Sequence, residues 1–465
     1  MAGKGTPPPS SHHETAITLP ETPSFRPPSY SSTFLKTLKE NLAFRARWAE
    51  INGAMGDLGT FIPIVISLTL VNGLDLGTTL IFTGVYNVVT GALFGVPMPV
   101  QPMKSIAAAA IAEGKSFGVP EIMAAGILTS AVVFLLGATG LMRLVYRYVP
   151  LPVVRGIQLA QGLSFAQSAV TYVRYSQDFS KGKSGSHPRP WLGLDGLILA
   201  LVAFGFLVVI SSIIDARNAA PEEDEEEARS RPASIRDRVM KFLGYLPSAV
   251  IVFVLGVVLA IVRKPSILSD LKAGPSHAHV VKISSESWKQ GFIKGTVPQL
   301  PLTVLNSVLA VCKLGADLFP AREFTATRIS VSVGLMNLVG CWFGAMPCCH
   351  GAGGMAGQYK FGGRSGACVA LLGLVKLVLG FVIGSSLVGI LREFPTGLLG
   401  VLLFFAGTEL AMAARDMGTK PEWFVMLVVT AVSMVGSYGA ALGFVCGMVA
   451  HVLLKVKDLH PRRLT

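Results

Sequence analysis

The 465-residue chain is 51% hydrophobic and only 14% charged, with a mean hydropathy of +0.57, which excludes a soluble enzyme and points to a polytopic membrane protein. Its net charge of +13 does not read as nucleic-acid binding, because no basic stripe with interleaved aromatics occurs in a foldable soluble domain. The excess sits in loops beside apolar segments, where lipid headgroups or an anionic substrate are the natural partners.

Residues 1–33, rich in Pro, Ser and Thr, lack the basic and apolar regions of a signal peptide, so 1–40 reads as a disordered tail. Lys36, Lys39, Arg45 and Arg47 precede the first apolar run and place this end in the cytosol by the positive-inside rule. Candidate spans follow at 51–72, 77–95, 119–142, 149–173, 193–213, 242–262, 298–313, 325–344, 366–387, 389–413, 421–437 and 438–456, with half-helices at 102–113 and 351–359. They predict an all-α polytopic membrane protein of about fourteen segments embedded in the lipid bilayer. An even count returns the 458–465 tail, with Arg462 and Arg463, to the cytosol.

Three hydrophilic stretches interrupt the spans. The acidic-then-basic run 214–241 reads as a solvated cytosolic loop. The loops 174–191 and 264–297 carry Lys and Arg yet face outward, which is either a cationic vestibule or a sign that one span is miscounted. Within 264–297, residues 285–295 have the pattern of an interfacial helix anchored by Trp288 and Phe292. The six cysteines lie in or beside apolar segments and read as packed, reduced thiols.

The stretch 94–114, FGVPMPVQPMKSIAAAAIAEG, breaks a span at Pro97, Pro99 and Pro102 and restarts as an alanine-rich half-helix. Extended backbone at membrane depth must line protein or a cavity, and the restarting helix aims free N–H groups into it. A second break matches the first. GVYNVVTGALFGVPMP at 84–99 resembles GLMNLVGCWFGAMPCC at 334–349, so that Asn87 answers Asn337 and Gly95 answers Gly344. An odd number of spans between the copies makes the repeat inverted, as in secondary transporters whose substrate lies between paired discontinuous helices. The two repeats are 41–263 and 298–457, joined by 264–297.

At the first break Gln101, Lys104 and Ser105 offer an amide, a charge and a hydroxyl, a set suited to a tetrahedral oxyanion. Lys104 could instead snorkel or pair with an acid, which leaves Gln101 and Ser105 as the firmer ligands. At the second break His350, Gly351, Gly353 and Gly354 are candidates, the glycines because they let backbone approach a ligand. A packed structural role for His350 stays open. Cys348-Cys349-His350 does not read as a metal site, since adjacent side chains rarely reach one ion, and no cofactor is implied. Asp57 and Glu409 are candidates for carrying a proton with the substrate, against salt bridges or helix caps; Asn306, which follows Asp57 at the repeat spacing, is a candidate repeat partner and joins the coupling candidates. The Arg143, Arg147 and Arg155 group reads as cytosolic anchoring, and Lys313, Asp317 and Asp416 as loop and helix-end ion pairs. Without a Walker motif or a nucleophile and base, neither ATP-driven pumping nor an enzyme is indicated.

The segments AEINGAMGDLGTFIPI, PMPVQPMKSIAAAAIAEG and FGAMPCCHGAGGMAGQYKFGGRSG resemble the plant and algal molybdate transporters, a branch of the sulfate permease superfamily, over about residues 40–457. The resemblance implies the seven-plus-seven inverted-repeat fold shared with uracil permeases. In that fold spans 1–4 and 8–11 form a core domain and spans 5–7 and 12–14 a gate. It also implies molybdate as substrate, a plasma-membrane or vacuolar location and a homodimer formed through the gate. Sulfate transport, an anion channel and a molybdate receptor are the competing readings.

Overall fold

Apolar runs of about 20 residues can satisfy their backbone in lipid only as helices, and each predicted segment contains one in the computed structural model. Residues 30–45, 47–179, 186–219, 243, 246–276, 279–436 and 438–459 are described. The chain divides into Met1–Thr37 and Leu38–Thr465. Most of the N-terminal tail, nearly all of the charged run 214–241 and residues 460–465 lie outside the described residues, as do the expectations attached to them.

Among the described residues, six helices are long and apolar enough to cross a membrane: Arg47–Asn72, Leu76–Phe94, Val119–Ala138, Leu197–Ile214, Ser285–Leu318 and Ala326–Phe343. Gly366–Val382 and Gly384–Glu393, bent by 112°, make a seventh if they count as one span. Ser248–Arg263, Thr396–Met412 and Gly439–Lys455 are apolar but shorter. Leu151–Arg174 is long enough at about 36 Å, yet carries Arg155 and Gln158 in its buried face.

Two boundaries differ from expectation. The 285–295 stretch is no separate interfacial helix but the opening of the Ser285–Leu318 helix. Pro298 and Pro301 do not stop that helix because wider π-turns at Gly291–Thr296 and Thr303–Leu309 absorb the missing donors. Trp288 packs edge-on against Trp342, ring centroids 6.1 Å apart. The 389–413 segment is split at Pro395 into Val388–Glu393 and Thr396–Met412.

Glycines bring helices of the two halves into backbone contact. A β-carbon on Gly84 would lie 2.8 Å from the Gly373 carbonyl oxygen, so Leu76–Phe94 and Gly366–Val382 pack with almost nothing between them. A β-carbon on Gly162 would lie 2.6 Å from the Gly407 carbonyl oxygen, and the same holds for Leu151–Arg174 and Thr396–Met412. Thus a helix of the first half pairs with one of the second in both places. All six cysteines are free, and only Cys446 is exposed.

Candidate functional site

Each break is built the same way. Leu76–Phe94 ends at Gly95 in the left-handed region (φ 66°), and the second break begins at Gly344, also left-handed (φ 76°). Residues 94–103 are buried throughout, so the proline-broken backbone runs through protein rather than lipid. Among the described residues two short ladders form: β2 (Tyr175–Gln177) with β3 (Ser186–Pro188) away from the breaks, and β1 (Val100–Pro102) antiparallel with β4 (Cys348–His350) in the register Val100 with His350, Gln101 with Cys349 and Pro102 with Cys348. Beside the ladder, the Met103 N–H donates to the Pro347 carbonyl at 2.9 Å. One residue after each strand a half-helix begins, Lys104–Glu113 after Met103 and Ala352–Lys360 after Gly351. Antiparallel pairing therefore sets the two helix N-termini against one ladder, pointing the helices opposite ways.

Side chains alternate across a strand, so Gln101 and Cys349 share one face and Cys348 and His350 the other. On the first face, the Gln101 amide donates from Nε2 to Oδ1 of Asp57, which is fully buried in the 3-10 turn Met55–Asp57 that interrupts the first span. The glycines of the second half-helix make room for this pair. A β-carbon on Gly351 would collide with the Gln101 side chain, and one on Gly354 would lie 2.6 Å from Gln101 Nε2 and 2.8 Å from Asp57 Oδ1. The carboxylate thus rests on the first turn of that helix, where N–H groups are free of intrahelical partners. A β-carbon on Gly353 would strike the Phe165 ring.

The same ring lies 4.0 Å from Lys104 Nζ, a buried ammonium without a hydrogen-bond partner. The first half-helix is capped by a residue the sequence reading did not single out. Gln299 Oε1 accepts from the Ser105 N–H at 2.8 Å and the Ile106 N–H at 3.4 Å. Gln101, Lys104, Ser105, Gly351, Gly353, Gly354 and Asp57 are accordingly brought together.

His350 is placed apart from Gln101. Its Nε2 lies 3.0 Å from Ser332 Oγ and its ring meets Phe94 edge-on. Asn306 is buried in the π-turn Thr303–Leu309, whose Ser307 hydroxyl donates to Cys349 Sγ at 3.0 Å. Glu409 lines a different cavity, about 280 Å³, shared with Arg155, Asp317, Arg415 and Asp416. There Arg155 is buried, not an anchor at the surface. It holds Asp416 through Nε at 2.8 Å and Nη2 at 2.6 Å, and Asp317 at 2.6 Å.

Sequence reasoning also missed Lys376. It is 3% exposed in the middle of Gly366–Val382, and its Nζ lies 3.5 Å from the Phe61 ring centroid without a hydrogen-bond partner. Lys376 and Lys104 are the charges acting on Asp57. Its only signal was a lone lysine in the apolar run LLGLVKLVLGF, which by itself marks a functional candidate in a membrane helix.

The chain matches a family described as molybdate transporters of the MFS superfamily over residues 49–165 and 291–410, one block for each break. It is 62% identical over 422 residues to Molybdate transporter 1 of Arabidopsis thaliana, covering 90% of this chain and 91% of that protein. To Molybdate transporter 2 of the same plant it is 57% identical over 411 residues, 88% of each. To Molybdate transporter 1 of Chlamydomonas reinhardtii it is 34% identical, covering 86% of this chain and 90% of that one. Among solved structures, the inward-facing murine anion transporter Slc26a9 superposes with a TM-score of 0.57 at 15% identity, covering 94% of this chain and 74% of its own. The transmembrane domain of the cyanobacterial bicarbonate transporter BicA gives 0.51 at 15% identity, covering 89% and 99%. At that identity the likeness is one of fold.

Proposed function

Because this multi-pass membrane chain belongs to the molybdate transporter family, we propose that it carries molybdate across a membrane by alternating access. The anion is held between the N-termini of Lys104–Glu113 and Ala352–Lys360, within about fourteen segments related as an inverted seven-plus-seven repeat. The observation that supports this reading best is the β1–β4 ladder, which sets two oppositely directed helix N-termini against one buried face. On that face the Gln101 amide, the Lys104 ammonium and the backbone of residues 351–354 supply donors for a tetrahedral dianion. Ser105 contributes beside the Gln299 cap. His350 supports the ladder from behind.

The place of Asp57 supports proton coupling. A carboxylate in contact with the anion's own donors changes its surroundings when the anion arrives, so it can take up a proton in the same event. Glu409 lines the Arg155 cavity instead.

Amides, ammonium groups and helix ends hold any tetrahedral dianion, so sulfate is the competing substrate. Purified protein in liposomes, given labelled molybdate with and without excess sulfate under imposed pH gradients, tests the reading. Saturable molybdate uptake that survives sulfate and grows with an inward proton gradient is expected. Equal competition by sulfate makes the protein a general oxyanion carrier, and non-saturating currents make it a channel.

A further inference from the structure

Two ammonium groups and one carboxylate meet at the ladder, and their geometry is not that of a salt bridge. Lys104 and Lys376 both bury Nζ with no hydrogen-bond partner, each against an aromatic ring, Phe165 and Phe61. They are held on different elements: Phe165, under Lys104, also faces Gly353 of the second half-helix, and Phe61, under Lys376, lies about one turn beyond Asp57 in the first span. Both act on Asp57. A buried, unbonded cation is costly, and a structural ion pair would have closed the gap. Asp57 meanwhile accepts from Gln101, lies against Gly354 and leaves Oδ2 unbonded. Its carboxylate therefore uses the donors that an oxyanion would need: an amide, a helix N-terminus and the field of two lysines.

We propose that Lys376 is a second cation of the anion site, alongside Lys104, and that Asp57 competes with the oxyanion for their shared donors. This rests on the site described under the proposed function and adds to it a charge balance. Lys104, Lys376 and Asp57 together carry one net positive charge. Removing the carboxylate's charge raises that to two, whereas removing Lys376 lowers it to zero. The affinity for a dianion follows in the same order.

Equilibrium binding of labelled molybdate to the purified full chain in detergent tests this, with monodispersity and thermal unfolding checked for each variant. Asp57→Asn should bind molybdate about tenfold or more tightly than wild type, although its transport is impaired. Lys376→Met should bind about tenfold or more weakly, and Lys376→Arg should stay near wild type. The double variant Asp57→Asn/Lys376→Met returns the net charge to one and should return the affinity towards wild type, which a merely structural lysine would not produce. Weaker binding by Asp57→Asn overturns the competition. Unchanged binding by Lys376→Met removes Lys376 from the site and leaves it as packing for Phe61. If Lys376→Met does not fold, Lys376→Gln and the Asp57→Asn arm decide the question. Wild-type protein that binds no oxyanion defeats the underlying site itself, a result distinct from wild-type binding that none of the variants alters.

Discussion

Asn87 and Asn337, 250 positions apart, do the same work in the two halves of the molecule. Asn87 Oδ1 accepts from the Val100 N–H at 2.8 Å, and Asn337 Oδ1 accepts from the Cys348 N–H at 2.7 Å. Val100 and Cys348 each open a strand of the ladder. Each asparagine therefore fixes where its helix stops and extended backbone begins.

Replacing either by alanine leaves a buried N–H unpaired, at a cost of about 1–3 kcal/mol. Asn337→Ala should cost more, because Asn337 Nδ2 also donates to Cys348 O at 2.6 Å and Val333 O at 2.8 Å. Thermal unfolding in detergent measures the difference, and a larger loss for Asn87→Ala would contradict it.

Gln101 and Ser105 should separate in transport assays. Gln101→Ala removes an amide that reaches both Asp57 and the second half-helix, and should raise the KM for molybdate about tenfold, or about 1.4 kcal/mol. Ser105→Ala keeps the backbone N–H that binds Gln299 and should change KM only a few-fold. Equal effects would mean that the hydroxyl counts for as much as the amide, and a larger effect of Ser105→Ala that the hydroxyl is the principal side-chain donor.

Gly353 and Phe165 form a pair testable by rescue. Gly353→Ala drives a methyl group into the Phe165 ring and should sharply reduce uptake with the protein still in the membrane. Adding Phe165→Leu makes room and should restore much of it. No rescue would show that the alanine acts elsewhere, for instance on the first turn itself.

The Arg155 clamp gives a pH signature of its own. Burial pushes the Asp416 carboxyl up, but its bonds and charge interaction with Arg155 outweigh this and hold it below the usual aspartate range. A depressed carboxyl contributes stability above its unfolded pKa and loses it as pH falls through the folded one. Arg155→Met should therefore destabilise by about 1–3 kcal/mol across neutral pH, with the gap to wild type closing only below about pH 4. Unfolding midpoints from pH 3 to pH 8 would show this. A gap that closes near pH 6 would implicate another group.

Asp57 and Glu409 should differ in the pH dependence of uptake. Asp57→Asn should flatten the profile, since Asp57 bonds to Gln101 inside the site. Glu409→Gln should leave its shape unchanged, since Glu409 lines the separate Arg155 cavity. A flat profile for Glu409→Gln alone would move the proton path to that cavity.

What was legible in the chain was local. Proline and glycine act on their own backbone, so the breaks at Pro97, Pro99 and Pro102 and at Gly344 could be read directly, as could the repeat that pairs Asn87 with Asn337. What was illegible depended on distant partners. Arg155 looked like an interfacial anchor because Asp317 and Asp416 stand 162 and 261 positions away. Lys376 went unremarked because nothing near it in sequence says that it packs on Phe61, a turn away from Asp57. Gln299 hid behind Pro298 and Pro301, which suggested a helix start rather than a side chain capping another helix. His350, adjacent to the right glycines, lies on the far face because strand alternation turns it there.

The β1–β4 ladder also bears on how the protein is made. Val100 and His350 are partners across 250 positions, so the first strand is synthesised and inserted well before its mate exists. Until then the backbone of residues 94–103 has no ladder to bond with, and a bilayer offers no substitute. The first half must either delay placing this stretch at depth or be shielded while the second half is translated. A ribosome-bound or truncated first half should accordingly be a client of membrane chaperones and quality-control proteases, and a separately expressed second half should relieve it.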